Sequence, residues 1–88
     1  DGIAVRVPVP EALELMRGVV DEVMLVSEDE IVAAMRVLFA DSGLIVEPAG
    51  AAGVAAIARR KSELAGRRVA TPITGGNLSE RQIRDWLP

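Results

Sequence analysis

Few side chains in this 88-residue sequence can do chemistry, and they fall at three places. Thr74-Gly75-Gly76-Asn77 joins a hydroxyl to two glycines. The glycines allow unusual backbone angles and close approach by a flat ligand. The Thr74 hydroxyl can give or take one hydrogen bond. Spacing alone favours a plainer reading, an ordinary strand-to-helix turn capped by Asn77, because Gly-Gly-Asn is a common turn composition. Glu47 follows three apolar residues and precedes an apolar helix, so burial is expected there. A buried carboxylate is costly unless paired and so often has a role. An acid satisfied by backbone donors at a helix start explains Glu47 equally well. Gly2 allows a tight turn with Asp1, and nothing local says more.

What is missing narrows the chemistry further. There is no His, no Cys and no glycine-rich phosphate loop, so a zinc site or a histidine-based nucleophile is not expected. Lys61 is the one lysine, and it lies in the charged run Arg59-Arg60-Lys61, which reads as a solvated helix end. Trp86 reads as a packing residue.

The elements that must position these groups alternate. Ile3 to Val9 reads as a short extended segment ended by prolines. Pro10 opens a helix to about Val19, with Leu13, Leu15 and Met16 available for burial. Val23-Met24-Leu25-Val26 is a bounded apolar run, consistent with a buried strand. Ser27 and Glu30 form a capping box, and three acids sit on the positive end of the helix dipole. Ile31, Ala34, Met35, Leu38 and Phe39 follow as one apolar stripe, ended at Ser42-Gly43. Leu44-Ile45-Val46 is strand-like. Pro48 opens a helix apolar on every side, whose small residues permit close backbone approach and which ends at Ala65-Gly66. Arg67 to Ile73 reads as a strand. Asn77 or Ser79 caps a last helix, with Glu80 or Gln82 as partner, packed down by Ile83, Trp86 and Leu87. Such alternation predicts an α/β layer with a mostly parallel sheet.

Composition bounds the partners. The net charge is −3 at pH 7, from 10 basic and 13 acidic residues, which argues against nucleic acid or an anionic membrane. No apolar run approaches the roughly 20 residues of a membrane span. The opening residues lack a basic n-region, and a cytoplasmic setting fits. Half the residues are hydrophobic, yet they include one Phe, one Trp and no Tyr. So small a chain usually needs large side chains, disulfides or metals to hold its core. The mismatch points to a piece of a longer protein.

Read in order, several stretches resemble the fold type II pyridoxal-phosphate enzymes, specifically the threonine/serine dehydratase (ammonia-lyase) and serine racemase family. They are Asp1-Gly2-Ile3-Ala4-Val5, then Val20-Asp21-Glu22-Val23 with Val26-Ser27-Glu28-Asp29-Glu30-Ile31, then Val46-Glu47-Pro48-Ala49-Gly50-Ala51. Ile73-Thr74-Gly75-Gly76-Asn77 resembles the family's Ser-Gly-Gly-Asn signature. The resemblance implies that residues 1–88 are the C-terminal part of the large cofactor-binding domain, part of a three-layer sheet with flanking helices and no internal boundary. It implies that Thr74, with Gly75, Gly76 and Asn77, meets the pyridine nitrogen of pyridoxal phosphate. Thr departs from the commoner Ser but keeps the hydroxyl. Gly2 would lie against one ring face, and Glu47 would have a supporting role. A neutral hydroxyl does not keep the ring nitrogen protonated as an Asp would, which suits loss of a β-hydroxyl soon after α-proton removal.

The family's Schiff-base lysine, its substrate-carboxylate loop and its phosphate loop belong to earlier sequence. No catalytic residue and no metal ligand is therefore expected in this chain, which would be inactive alone. The parent would turn a hydroxy amino acid into an oxo acid and ammonia, and would be a homo-oligomer. The end soon after the last helix fits the short, unregulated dehydratases. Three other readings stand beside this one: a racemase of the same family, a non-catalytic α/β module binding a small ligand or a protein, and an assembly domain dimerising through its apolar surface.

Overall fold

The computed structural model describes residues 2–88; Asp1, which opens the first stretch of the resemblance, lies outside them. Five helices form: α1 (Pro10–Met16), α2 (Glu28–Ser42), α3 (Pro48–Arg59), α4 (Lys61–Leu64) and α5 (Glu80–Trp86). None is long and apolar enough to cross a membrane among the described residues.

Local chemistry explains where they start and stop. Ser27 accepts from the Glu30 N–H at 3.2 Å, and the Glu30 carboxylate accepts from the Ser27 N–H at 2.7 Å, closing the capping box of α2. Gly43, at φ 67°, turns the chain out of α2, and the Leu44 N–H reaches back to the Leu38 carbonyl at 3.4 Å. Pro10 and Pro48 stand in the first turns of α1 and α3, where a missing N–H costs nothing. The apolar run beginning at Pro48 breaks at Arg60, so the single helix expected there is two, α3 and α4. Ser79 and Gln82 form the second capping box, at α5.

The core lies where α2 crosses α3. Ile31, Ala34 and Met35 of α2 meet Ala51 and Ala55 of α3, with Val46 and Leu87 completing the cluster. Leu38, Ile83 and Trp86 pack against it, whereas Phe39, expected in the stripe, is exposed. The Arg36 Nε–H donates to the Trp86 carbonyl at 2.6 Å and ties α5 down.

The expected α/β layer with a mostly parallel sheet is not there: among the described residues no strand forms. A helix satisfies its own backbone, but a strand needs a neighbour to take its N–H and C=O groups. The segments read as strands find none. A single backbone bond, from the Glu47 N–H to the Gly75 carbonyl at 3.2 Å, links the segment ending at Val46 to the one ending near Gly75. Val23 and Leu25, expected to be buried, are 71% and 82% exposed. Leu13, Leu15 and Met16 of α1 are exposed as well, since no element packs on them.

The α2 cap gives two expectations. Ser27→Ala should lower unfolding stability by about 1 kcal/mol in a urea titration. Glu30 is held below the usual carboxylate range, chiefly by the Ser27 N–H it accepts from, with burial opposing. Its depressed folded value means the stabilisation is complete above the unfolded value and is lost as pH falls through the folded one. The stability difference between the wild type and Glu30→Gln should therefore shrink in acid, followed by circular dichroism at a series of pH values.

Candidate functional site

Three segments far apart in sequence meet at the start of α3. Glu47 occupies the N-cap position there, with extended backbone, but its side chain makes no capping bond. It crosses instead to the Thr74–Asn77 loop, where Oε2 accepts from the Asn77 N–H at 3.1 Å. Its own N–H donates to the Gly75 carbonyl at 3.2 Å.

The glycines make this fit possible. Gly75 sits at φ +55°, and a Cβ there would overlap the Glu47 carboxylate, 2.7 Å from Cδ. At Gly76 a Cβ would lie 2.6 Å from the Ile45 carbonyl oxygen. From the other side, a Cβ at Gly50 would overlap the Thr74 carbonyl oxygen, and one at Gly53 the Thr71 hydroxyl. The close backbone approach expected of α3 thus occurs, and its neighbour is the 71–74 segment.

A cleft of about 580 Å³ opens beside this junction, lined by Gly2, Glu47, Pro48, Ala49, Asn77 and Trp86 among others. Gly2, at φ +81°, lies close over Ala49, since a Cβ on it would be 3.3 Å from the Ala49 Cβ. Of the residues singled out in the sequence, Gly2, Glu47 and Asn77 share the cleft wall. Thr74, Gly75 and Gly76 are not in the lining and are held beside it by Glu47. Thr74 is exposed, and its hydroxyl makes no hydrogen bond among the described residues. Lys61 is exposed at the start of α4 and does not line the cleft.

Sequence reasoning missed Pro48, Ala49 and Trp86 as lining residues and Gly50 as the seat of the loop. The small residues after Pro48 were the available signal. Arg59 and Arg60 stand at a largely exposed helix end, as expected, but their bonding there was not foreseen. Arg59 donates to the Leu25 carbonyl and pairs with Glu30 at 3.4 Å, and Arg60 binds the Glu22 carboxylate with two nitrogens. That hydrogen-bonded guanidinium holds the Glu22 carboxyl below its usual range, and Glu22 in turn raises Arg60. These ties anchor the 22–25 segment to the C-terminal end of α3, at the far end from Glu47.

Gly2, Asn77 and Trp86 in the lining, with the unbonded Thr74 hydroxyl beside it, could meet one side of a flat heteroaromatic ring; among the described residues no Lys or Arg lines the cleft to hold a phosphate. Gly75→Ala should destabilise by about 1–3 kcal/mol through its positive φ, and further through the carboxylate overlap. Gly66→Ala, at φ +78° with open space around it, should show the backbone cost alone. Equal losses for the two in urea unfolding would mean that the Glu47 contact does not constrain residue 75.

The model of the family "Pyridoxal-phosphate dependent enzyme" matches residues 1–75. Among curated proteins, an L-threonine ammonia-lyase of Thermotoga maritima is 41% identical over 83 residues, covering 94% of this chain and 20% of the relative. An L-threonine ammonia-lyase of Geobacter sulfurreducens is 42% identical over 84 residues, covering 94% of this chain and 21% of the relative. A catabolic L-threonine dehydratase of Staphylococcus aureus is 41% identical over 86 residues, covering 94% of this chain and 25% of the relative. The chain therefore spans about a fifth to a quarter of the length of these relatives. No solved structure matches it significantly.

Proposed function

This chain belongs to the pyridoxal-phosphate-dependent enzymes, and on that footing we propose that it is the C-terminal part of the large cofactor-binding domain of a threonine/serine dehydratase. The parent would convert a small hydroxy amino acid to an oxo acid and ammonia. The names of the similar proteins favour this elimination over racemisation. The observation that carries the reading is the junction at Glu47, which holds the loop with the free Thr74 hydroxyl beside a cleft that Gly2, Glu47 and Asn77 line.

Bound pyridoxal phosphate would supply the electron sink that makes an α-proton of the substrate acidic. The residues here have narrower tasks. Thr74 would donate or accept a hydrogen bond at the ring nitrogen without putting a charge there. Gly2 would leave room for one ring face. Pro48, Ala49 and Trp86 would exclude water from that side. The lysine that binds the cofactor and the groups that hold its phosphate would come from the rest of the parent.

The shape supports that partner. The accessible surface is 7080 Å², against about 5,000 Å² for a compact monomer of this mass. The radius of gyration is 14.3 Å, against about 12 Å for a compact domain of this length. A second depression, of about 740 Å³ and largely apolar, is lined by Ile3, Val23, Leu25, Ile31 and Ala52 among others. This surplus surface is what the remaining parent chain, and a second subunit of a homo-oligomer, would cover. The cytoplasm is the setting this reading takes, in keeping with the absence of cysteine.

Two measurements test it. In the full-length protein, Thr74→Ala should lower kcat/KM for threonine or serine by about tenfold or more through loss of the ring-nitrogen partner, with Thr74→Ser retaining most activity. Unchanged cofactor affinity and rate in Thr74→Ala would remove Thr74 from the site. The isolated 88 residues should self-associate in sedimentation velocity, given their exposed apolar side chains. A cooperative monomer at every concentration would instead favour a free-standing binding module.

A further inference from the structure

We infer that Glu47 is a positioning residue whose carboxylate sets the place of the Thr74 hydroxyl by clamping the Thr74–Asn77 loop onto the start of α3. The meaning of this clamp rests on the pyridoxal-phosphate reading, but its geometry does not.

Among the described residues, every hydrogen bond that joins residues 74–78 to the rest of the chain runs to Glu47. The Asn77 N–H goes to its carboxylate and the Gly75 carbonyl to its N–H. The one other bond in the loop is internal, from the Leu78 N–H to the Gly76 carbonyl at 2.8 Å. One residue, about 30 positions away in sequence, therefore supplies both hydrogen-bonded ties of the loop, one through its carboxylate and one through its backbone N–H.

Capping does not account for a glutamate at this position. Its side chain makes no bond to α3, whose first turn is held by the Glu47 carbonyl accepting from Gly50 and Ala51. Ser, Thr, Asp and Asn cap better than Glu. The longer side chain has a reach that the shorter acid lacks, and that reach is used on Asn77. The two flanking glycines match the same arrangement. Gly75 takes a positive φ with the carboxylate packed against its Cα, and Gly50 lets the Thr74 carbonyl come down on α3. Thr74 directly precedes the two tied residues and its carbonyl rests on Gly50, so the backbone that carries its hydroxyl is seated on α3.

The clamp asks for a hydrogen-bond acceptor at Oε2 and not for a proton carrier, so glutamine should serve where alanine cannot. Hydrogen exchange at the Asn77 N–H of the cofactor-free full-length protein reads the clamp directly. Glu47→Ala should speed that exchange by about tenfold, and Glu47→Gln should keep most of the protection. Titration with pyridoxal phosphate, followed by cofactor fluorescence, should show affinity weakened by about tenfold in Glu47→Ala and largely restored in Glu47→Gln. Unaltered exchange in Glu47→Ala would overturn the clamp. So would a Glu47→Gln protein with wild-type exchange but a kcat as low as that of Glu47→Ala, which would put the carboxylate's charge in the chemistry itself. If Glu47→Ala does not fold, Glu47→Asp decides: shortened reach should loosen the loop, and wild-type exchange there would overturn the proposal. A wild-type protein that takes up no pyridoxal phosphate would sink the functional reading, while the exchange comparison would still judge the clamp.

Discussion

The contact between the Glu47 carboxylate and the Asn77 N–H spans 30 residues and joins parts of the chain that have little else in common. One side is the start of α3, a helix built of alanine and glycine. The other is a loop of threonine, two glycines and asparagine. Remove the acceptor, and the loop keeps only one backbone bond to its seat. The small residues of α3 then look less like filler than like clearance. Gly50 and Gly53 lie where the 71–74 segment comes closest, and larger side chains there would push the loop away from the cleft.

The rest of the structure supports that junction at a distance. α2 presses Ile31, Ala34 and Met35 against α3 and holds its axis. Val46, buried just before Glu47, fixes the entry to the helix. Arg59 and Arg60 pin the far end through Leu25, Glu30 and Glu22. These ion pairs are largely exposed, so their contribution to stability is small. Their effect is to choose where the 22–25 segment lies.

Local chemistry was legible in the residues and distant contacts were not. Ser27 with Glu30, and Ser79 with Gln82, are three residues apart, and both capping boxes form as their spacing says. Gly43 ends α2 because a glycine tolerates the left-handed turn. The apolar stripe of α2 was readable as far as Leu38, and only Phe39 stands out of it. What failed was each expected strand, which needs a neighbour to take its backbone groups. Val23 to Val26 and Arg67 to Ile73 have the composition of strands but nothing beside them to pair with, so the sheet expected from alternation is absent among the described residues. The site itself was located by resemblance, since Gly-Gly-Asn alone reads as a turn. Nothing in spacing could show that Glu47 reaches Asn77, because no periodicity connects residues so far apart.

These residues would form one wall of a pyridoxal-phosphate site completed by the rest of a longer chain. Equilibrium titration of pyridoxal phosphate into the full-length protein and into the isolated 88 residues, followed by the visible absorbance of the lysine-bound cofactor, tests it most directly. Saturable, one-to-one uptake by the full-length protein, with no specific uptake by the isolated segment, is the predicted result. Specific one-to-one binding by the 88 residues alone, or none by the full-length protein, would contradict it.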